Sequence, residues 1–134
     1  MSDKQFVQAN DLVRDAFRLA RRIHDSGYRP DLLVALWRGG TPIGIAIHEY
    51  LEFRAIPTYH TALKVTSYTG IGQQAEPQVE GLEPLLARLQ PEDRVLLIDD
   101  IFDSGRTLRL VRTHLLTRTR TVRAATLFYK PGAN

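Results

Sequence analysis

The chain has 134 residues, 43% hydrophobic and 25% charged, with a net charge of +3 and no cysteine. Such values describe one globular domain with a real core, and they exclude disulfides and thiolate metal sites. No apolar run approaches the ~20 residues of a membrane span, and the polar start Met1-Ser2-Asp3-Lys4-Gln5 does not read as a secretory leader, so the expected compartment is the cytoplasm.

Leu12, Val13, Ala16, Phe17, Ala20 and Ile23 repeat at helical spacing. Asn10 or Asp11 is placed to cap that helix and Gly27 to end it. His24, in its last turn, reads as a surface cation favoured by the helix dipole. Asp31 to Trp37 is an apolar run of buried-strand length. Arg38-Gly39-Gly40 follows as a turn, and a helical stretch runs from Ile43 to about Leu51, with Thr41 as its expected cap and Pro42 in its first turn. Two glycines free backbone amides for an anion, and Arg38 brings charge. The plainer alternative is an ordinary strand-to-helix turn. His48, on this helix, reads as surface or structural.

Ile56 to Val65 is rich in strand formers, and Pro57 favours an edge or a strand start. His60 is expected to point out of the sheet. Lys64 either reaches an anion or is a surface lysine. Thr66 to Glu80 holds two glycines, a proline and little periodicity, which predicts a long loop, functional or passive. Gly81 to Gln90 predicts a short helix around Leu82, Leu85, Leu86 and Leu89.

Val95 to Leu108 reads V-L-L-I-D-D-I-F-D-S-G-R-T-L. Val95 to Ile98 make a buried strand, and Asp99 and Asp100 sit where it ends. Asp103-Ser104-Gly105-Arg106-Thr107 then leads into a helix. Unpaired amides and the dipole at a helix N-terminus favour an anion. Gly105 permits close approach, and Ser104 and Thr107 add hydroxyl donors. Carboxylates accept from sugar hydroxyls and bind hard cations such as magnesium. A phosphate cradle beside two such acids points to a sugar phosphate; the alternative is a pair of solvated acids at a strand end.

Arg106 to about Thr117 predicts a helix with Leu108, Val111, Leu115 and Leu116 inward and His114 exposed. Six arginines between Arg106 and Arg123 would attract nucleic acid or simply form a solvated face that favours phosphorylated substrates. Thr121 to Tyr129 is a last strand, ended by Lys130-Pro131; unaided, Lys130 reads as a solvated strand-end lysine. The order of elements implies an α/β fold with a mainly parallel twisted sheet flanked by helices. Both anion turns belong at the carboxyl ends of neighbouring strands, where such sheets bind ligands.

The stretch Ile98 to Thr107 resembles the phosphoribosyl-pyrophosphate (PRPP) binding motif of type I phosphoribosyltransferases. The chain is most similar to the bacterial xanthine-guanine and hypoxanthine members, from the first helix to the C-terminus. The resemblance implies one phosphoribosyltransferase domain over residues 1–134, with the family's C-terminal base-stacking hood absent. It implies 5′-phosphate binding by Asp103, Ser104, Gly105, Arg106 and Thr107, and ribose or Mg2+ binding by Asp99 and Asp100. It assigns pyrophosphate to Arg38, Gly39 and Gly40, although Trp37 stands where the family usually has serine. An unusual backbone, a non-proline cis peptide, is expected at Trp37-Arg38. Ser67 and Tyr68 belong to a loop that closes over pyrophosphate. Lys130, within Phe128-Tyr129-Lys130-Pro131, donates to the 6-oxygen of a purine, and Asp103 acts at the base N7. The implied activity joins PRPP and a 6-oxopurine into a nucleoside monophosphate, releasing pyrophosphate, in a homodimer or homotetramer with no membrane or nucleic-acid partner. The alternative is a PRPP-sensing regulator of the same fold that binds nucleic acid; Asp103 and Lys130 argue against it, since a sensor needs neither.

Overall fold

Short apolar runs alternate with amphipathic stretches, and each becomes one layer of the structure. The computed structural model describes residues 9–68, 76–100 and 105–127. In chain order the elements are α1 (Ala9–Asp25), β1 (Leu32–Trp37), α2 (Gly40–Phe53), β2 (Tyr59–Tyr68), β3 (Glu76–Glu80), α3 (Leu82–Arg88), β4 (Arg94–Asp99), α4 (Arg106–Leu115) and β5 (Thr121–Thr126). The sheet order is β3-β2-β1-β4-β5. All neighbours run parallel except β3, which is antiparallel to β2.

The central strands are apolar on both sides because both faces of the sheet are covered. Leu33 and Ala35 of β1, with Leu96 and Ile98 of β4, pack against Ala16 and Ala20 of α1 and Ile43, Ala46, Ile47 and Leu51 of α2. On the other face Leu32, Val34, Leu36, Val95 and Leu97 meet Leu85 of α3 and Leu108, Val111 and Leu115 of α4. Each such side chain contributes about 1.5–3 kcal/mol by leaving water. Asp31 clamps the amino ends of β1 and β4: its amide donates to the Arg94 carbonyl at 2.7 Å, and its carboxylate accepts from the Arg94 amide at 2.8 Å. The buried Tyr28 hydroxyl donates to the Val95 carbonyl at 2.7 Å. Burial pushes that phenol up to about 12, so it stays a donor.

Several local expectations give way to tertiary geometry. Helix α1 already includes Ala9, so Asn10 and Asp11 lie within its first turn rather than at its cap. Gly27 does end it, at φ 89°. Helix α2 starts at Gly40 with Gly39 at the cap, and Thr41 instead donates its hydroxyl to the Arg38 carbonyl at 2.6 Å. The stretch 66–80 is not one loop: β2 runs to Tyr68 and pairs with β3, Ser67 opposite Pro77 and Tyr68 opposite Glu76. Its weak periodicity reflects a ribbon at the sheet edge that buries little. Leu116 lies past the end of α4 and is 37% exposed, not inward. His24 is no free surface cation, since its side chain is 20% exposed and its ring stands edge-on to Tyr50 of α2, centroids 6.1 Å apart.

Candidate functional site

Strands β1 and β4 are adjacent and in parallel register, Leu32 opposite Val95 and Ala35 opposite Ile98. Two turns therefore leave the sheet side by side at its carboxyl edge. β1 ends at Trp37 and Arg38-Gly39-Gly40 follows; β4 ends at Asp99 and Asp100 follows. The two turns touch. A Cβ on Gly39 would overlap the Asp100 carboxyl group, and a Cβ on Gly40 would collide with the Ile98 carbonyl oxygen and lie 3.0 Å from Asp99 Cα. Glycine is thus required here by close approach.

The Trp37-Arg38 peptide is cis. Trp37 is 52% exposed and Arg38 is exposed, so both side chains stand at the rim of the turn. The Arg38 carbonyl is held from inside by the Thr41 hydroxyl and, at 3.1 Å, by the Thr41 amide. Lys64 is exposed and is the register partner of Trp37 across β1 and β2, which puts its backbone beside the same turn. Only strand pairing reveals that proximity, since 26 intervening residues hide it in the sequence.

Asp99 and Asp100 are both half-buried at the end of β4. The Asp99 Oδ1 accepts from the Asp100 amide at 2.8 Å. Burial, and then the neighbouring Asp100 carboxylate, push Asp99 up to about 6 against the opposing effect of that hydrogen bond. Two close acids with this electrostatic burden suit a hard divalent cation, which would relieve it, and magnesium is commonly held by one or two carboxylates plus ligand oxygens. Among the described residues no cluster of three or more metal-ligating side chains occurs.

Helix α4 begins immediately after this edge. Gly105 is its cap, buried and left-handed at φ 74°, with Arg106 and Thr107 half-buried in the first turn. The Gly105 carbonyl accepts from the Arg109 amide at 2.9 Å, so the helix is formed from its first turn. Asp103, Ser104 and Lys130 lie outside the described residues. Ser67 and Tyr68 close β2, with the chain from 69 to 75 also outside the description.

Sequence reasoning missed one polar pair away from this edge. His60 of β2 and His48 of α2 bring their Nδ1 atoms to 3.3 Å. No pattern in the sequence links a strand position to a helix position twelve residues earlier.

With this geometry in view, the phosphoribosyl transferase domain model matches residues 2–134. Hypoxanthine-guanine phosphoribosyltransferase of Streptococcus pyogenes is 25% identical over 136 residues, spanning 96% of this chain and 69% of that protein. Xanthine-guanine phosphoribosyltransferase of Cereibacter sphaeroides is 31% identical over 131 residues, spanning 94% and 71%. Among solved structures, a purine phosphoribosyltransferase from Pyrococcus horikoshii superposes with a TM-score of 0.73 at 22% identity, covering 93% of this chain and 76% of the other. The xanthine-guanine-hypoxanthine enzyme of Helicobacter pylori gives 0.68 at 19% identity, covering 94% and 76%. The mostly parallel α/β sheet, the touching turns at its carboxyl edge and the match over nearly the whole chain converge: this protein belongs to the phosphoribosyltransferase family.

Proposed function

We propose that the protein is a purine phosphoribosyltransferase, transferring ribose 5-phosphate from PRPP to a 6-oxopurine with release of pyrophosphate. The observation that carries this reading is the contact between the Gly39-Gly40 turn and the Asp99-Asp100 pair, with α4 the next element after that pair in the chain. One edge thereby offers amides for a pyrophosphate, acids for ribose hydroxyls and a helix end for a 5′-phosphate, which are the three polar regions of PRPP. The names of the curated relatives favour catalysis over the regulatory alternative.

In this reading the amides and hydroxyls from Asp103 to Thr107 hold the 5′-phosphate. Asp99 and Asp100 orient the ribose. Arg38, Gly39 and Gly40 bind the pyrophosphate, with Lys64 close enough along the strand edge to assist. As the C1′–oxygen bond breaks, pyrophosphate gathers negative charge that the turn amides and Arg38 stabilise. Asp99 and Asp100 would hold Mg2+, which supplies further neutralisation of the leaving pyrophosphate. The base N9 attacks C1′, and Asp103 takes or balances the proton at N7. Lys130 donates to the purine 6-oxygen, and Ser67 and Tyr68 begin the segment that covers the pyrophosphate.

A homodimer or homotetramer in the cytoplasm completes the proposal. Ile45 and Phe53, 55% and 79% exposed on α2, support a second copy. No helix among the described residues is long and apolar enough to cross a membrane. Pyrophosphate release, measured with PRPP, magnesium and a panel of hypoxanthine, guanine, xanthine, adenine and orotate, tests the activity. Release with the 6-oxopurines is expected; absence of release with every base would refute it.

A further inference from the structure

We propose that His48 and His60 form a pH-sensitive latch that seats α2 on β2, closed while the two neutral rings have taken up at most one added proton between them and opened by the next. The pair lies outside the edge described above. Nδ1 of one ring is 3.3 Å from Nδ1 of the other, and the rings are nearly perpendicular with centroids 5.1 Å apart. Such a contact needs one nitrogen to donate and the other to accept. Two imidazolium rings both present N–H there, so the contact becomes donor against donor and charge against charge.

The surroundings give the pair few other options. The His60 ring fits a notch made by Gly44 of α2: a Cβ there would lie 2.9 Å from His60 Nε2 and 3.1 Å from the Ala35 Cβ. From β1 the apolar Leu33 is the register partner of His60. On α2 the one carboxylate near a ring is Glu52, whose Oε2 is 3.6 Å from His48 Nε2, and Glu49 borders the same cavity of about 510 Å³. A proton on His48 therefore has a carboxylate to face, whereas among the described residues no ion pair is made by His60. Burial, and then the charge of His48, hold His60 below the ordinary histidine range. The sign follows. Below about 6.5 the unfolded chain takes up the proton first, so the folded state loses stability as pH falls.

The latch has a mechanical consequence because α2 starts at Gly40, the residue seated on Ile98 and Asp99. His48 is two turns along the same helix, and Trp37, the single tryptophan of the chain, directly precedes the turn. Unseating α2 thus shifts a built-in fluorophore, with no substrate required.

The test uses the unliganded full chain. Denaturant unfolding is measured from pH 7.5 to 5.0 for wild type, His60→Gln and His48→Gln, and Trp37 emission is followed over the same range. Glutamine keeps a hydrogen-bonding group but cannot gain charge. In wild type the folding equilibrium constant should fall below pH 6.5 with a component of up to about tenfold per pH unit, the slope of one proton. Both variants should lose that component, and with it the matching part of the emission change. Histidine NMR titration of wild type should show one ring resisting protonation below the other. Equal slopes in all three proteins overturn the latch, and so do two imidazoles that titrate independently at the ordinary value. None of these measurements depends on PRPP, so failure here leaves the enzymatic proposal standing, and the reverse holds too.

Discussion

Asp99 and His60 are displaced by the same physical cause in opposite directions. Burial disfavours charge, so it raises an acid and lowers a base. For Asp99 the folded value of about 6 lies above the ordinary 3.8. Between those values the folded chain holds more protons than the unfolded one, so this group stabilises the fold as pH falls from 7 towards 4. The same proton removes a charge from the proposed magnesium and ribose site. Calorimetric titration with PRPP and magnesium should therefore show affinity declining through about pH 6, and Asp99→Asn should bind weakly at every pH with that inflection gone. A wild-type affinity that is flat from pH 7.5 to 5 would remove Asp99 from ligand binding. For Asp103→Asn the expected loss is in kcat, about 10²–10⁴-fold, with little change in KM for PRPP, because the amide keeps size and polarity but cannot take a proton. Unchanged steady-state kcat would assign the proton transfer elsewhere.

At the scale of elements, the turn after β1 depends on small residues whose tolerance differs with what they face. Gly40 meets backbone atoms of β4, which cannot move without disturbing the central sheet, whereas Gly44 meets side-chain atoms, the His60 ring and the Ala35 Cβ. Gly40→Ala is expected to destabilise the fold by about 1–3 kcal/mol through overpacking and to weaken PRPP binding as well. Gly44→Ala should destabilise less and should blunt the histidine pH response. Urea unfolding of both variants checks the order, and a larger loss in Gly44→Ala would contradict it. Leu33 lies fully buried on β1 between the two helices of its face. Its truncation to alanine should lower stability by about 2–5 kcal/mol.

For the whole molecule, binding and stability are one measurement. If the edge binds PRPP in the folded state alone, a concentration 100 times Kd stabilises the protein by about 2.7 kcal/mol. Thermal unfolding should accordingly rise with PRPP and magnesium together, and pyrophosphate should compete. Base choice is the other whole-molecule property, since in the proposed function it combines Lys130 with the phosphate sites. An ammonium donor pairs with a 6-oxygen but opposes the 6-amino group of adenine, and a mismatch at a site built for a polar contact can reject an analogue by ~10⁴–10⁵. The ratio of kcat/KM for hypoxanthine over adenine should be large in wild type and should collapse in Lys130→Met. Adenine as the best wild-type substrate would overturn this assignment.

By itself, the sequence determined the alternation of layers and the chemistry of the edge. Runs such as Leu32 to Leu36 and Val95 to Ile98 are apolar at every position because both faces are covered, and that requirement is visible in one dimension. The acid pair and the glycine turns are local too, since a strand end followed by a helix start is written in consecutive residues. The cis peptide at Trp37-Arg38 was expected from family resemblance alone. Other features needed the fold. The β2–β3 ribbon buries too little to leave a periodic trace. The helix caps moved because packing of α2 against the end of β4 outweighed the hydroxyl preference of Thr41. The contacts between Gly39 and Asp100, the register that sets Lys64 beside Trp37, and the meeting of His48 with His60 join residues far apart in the chain. Only the parallel pairing of β2, β1 and β4 brings them together, because strand register and helix docking are set by the sum of the core contacts and not by any local pattern.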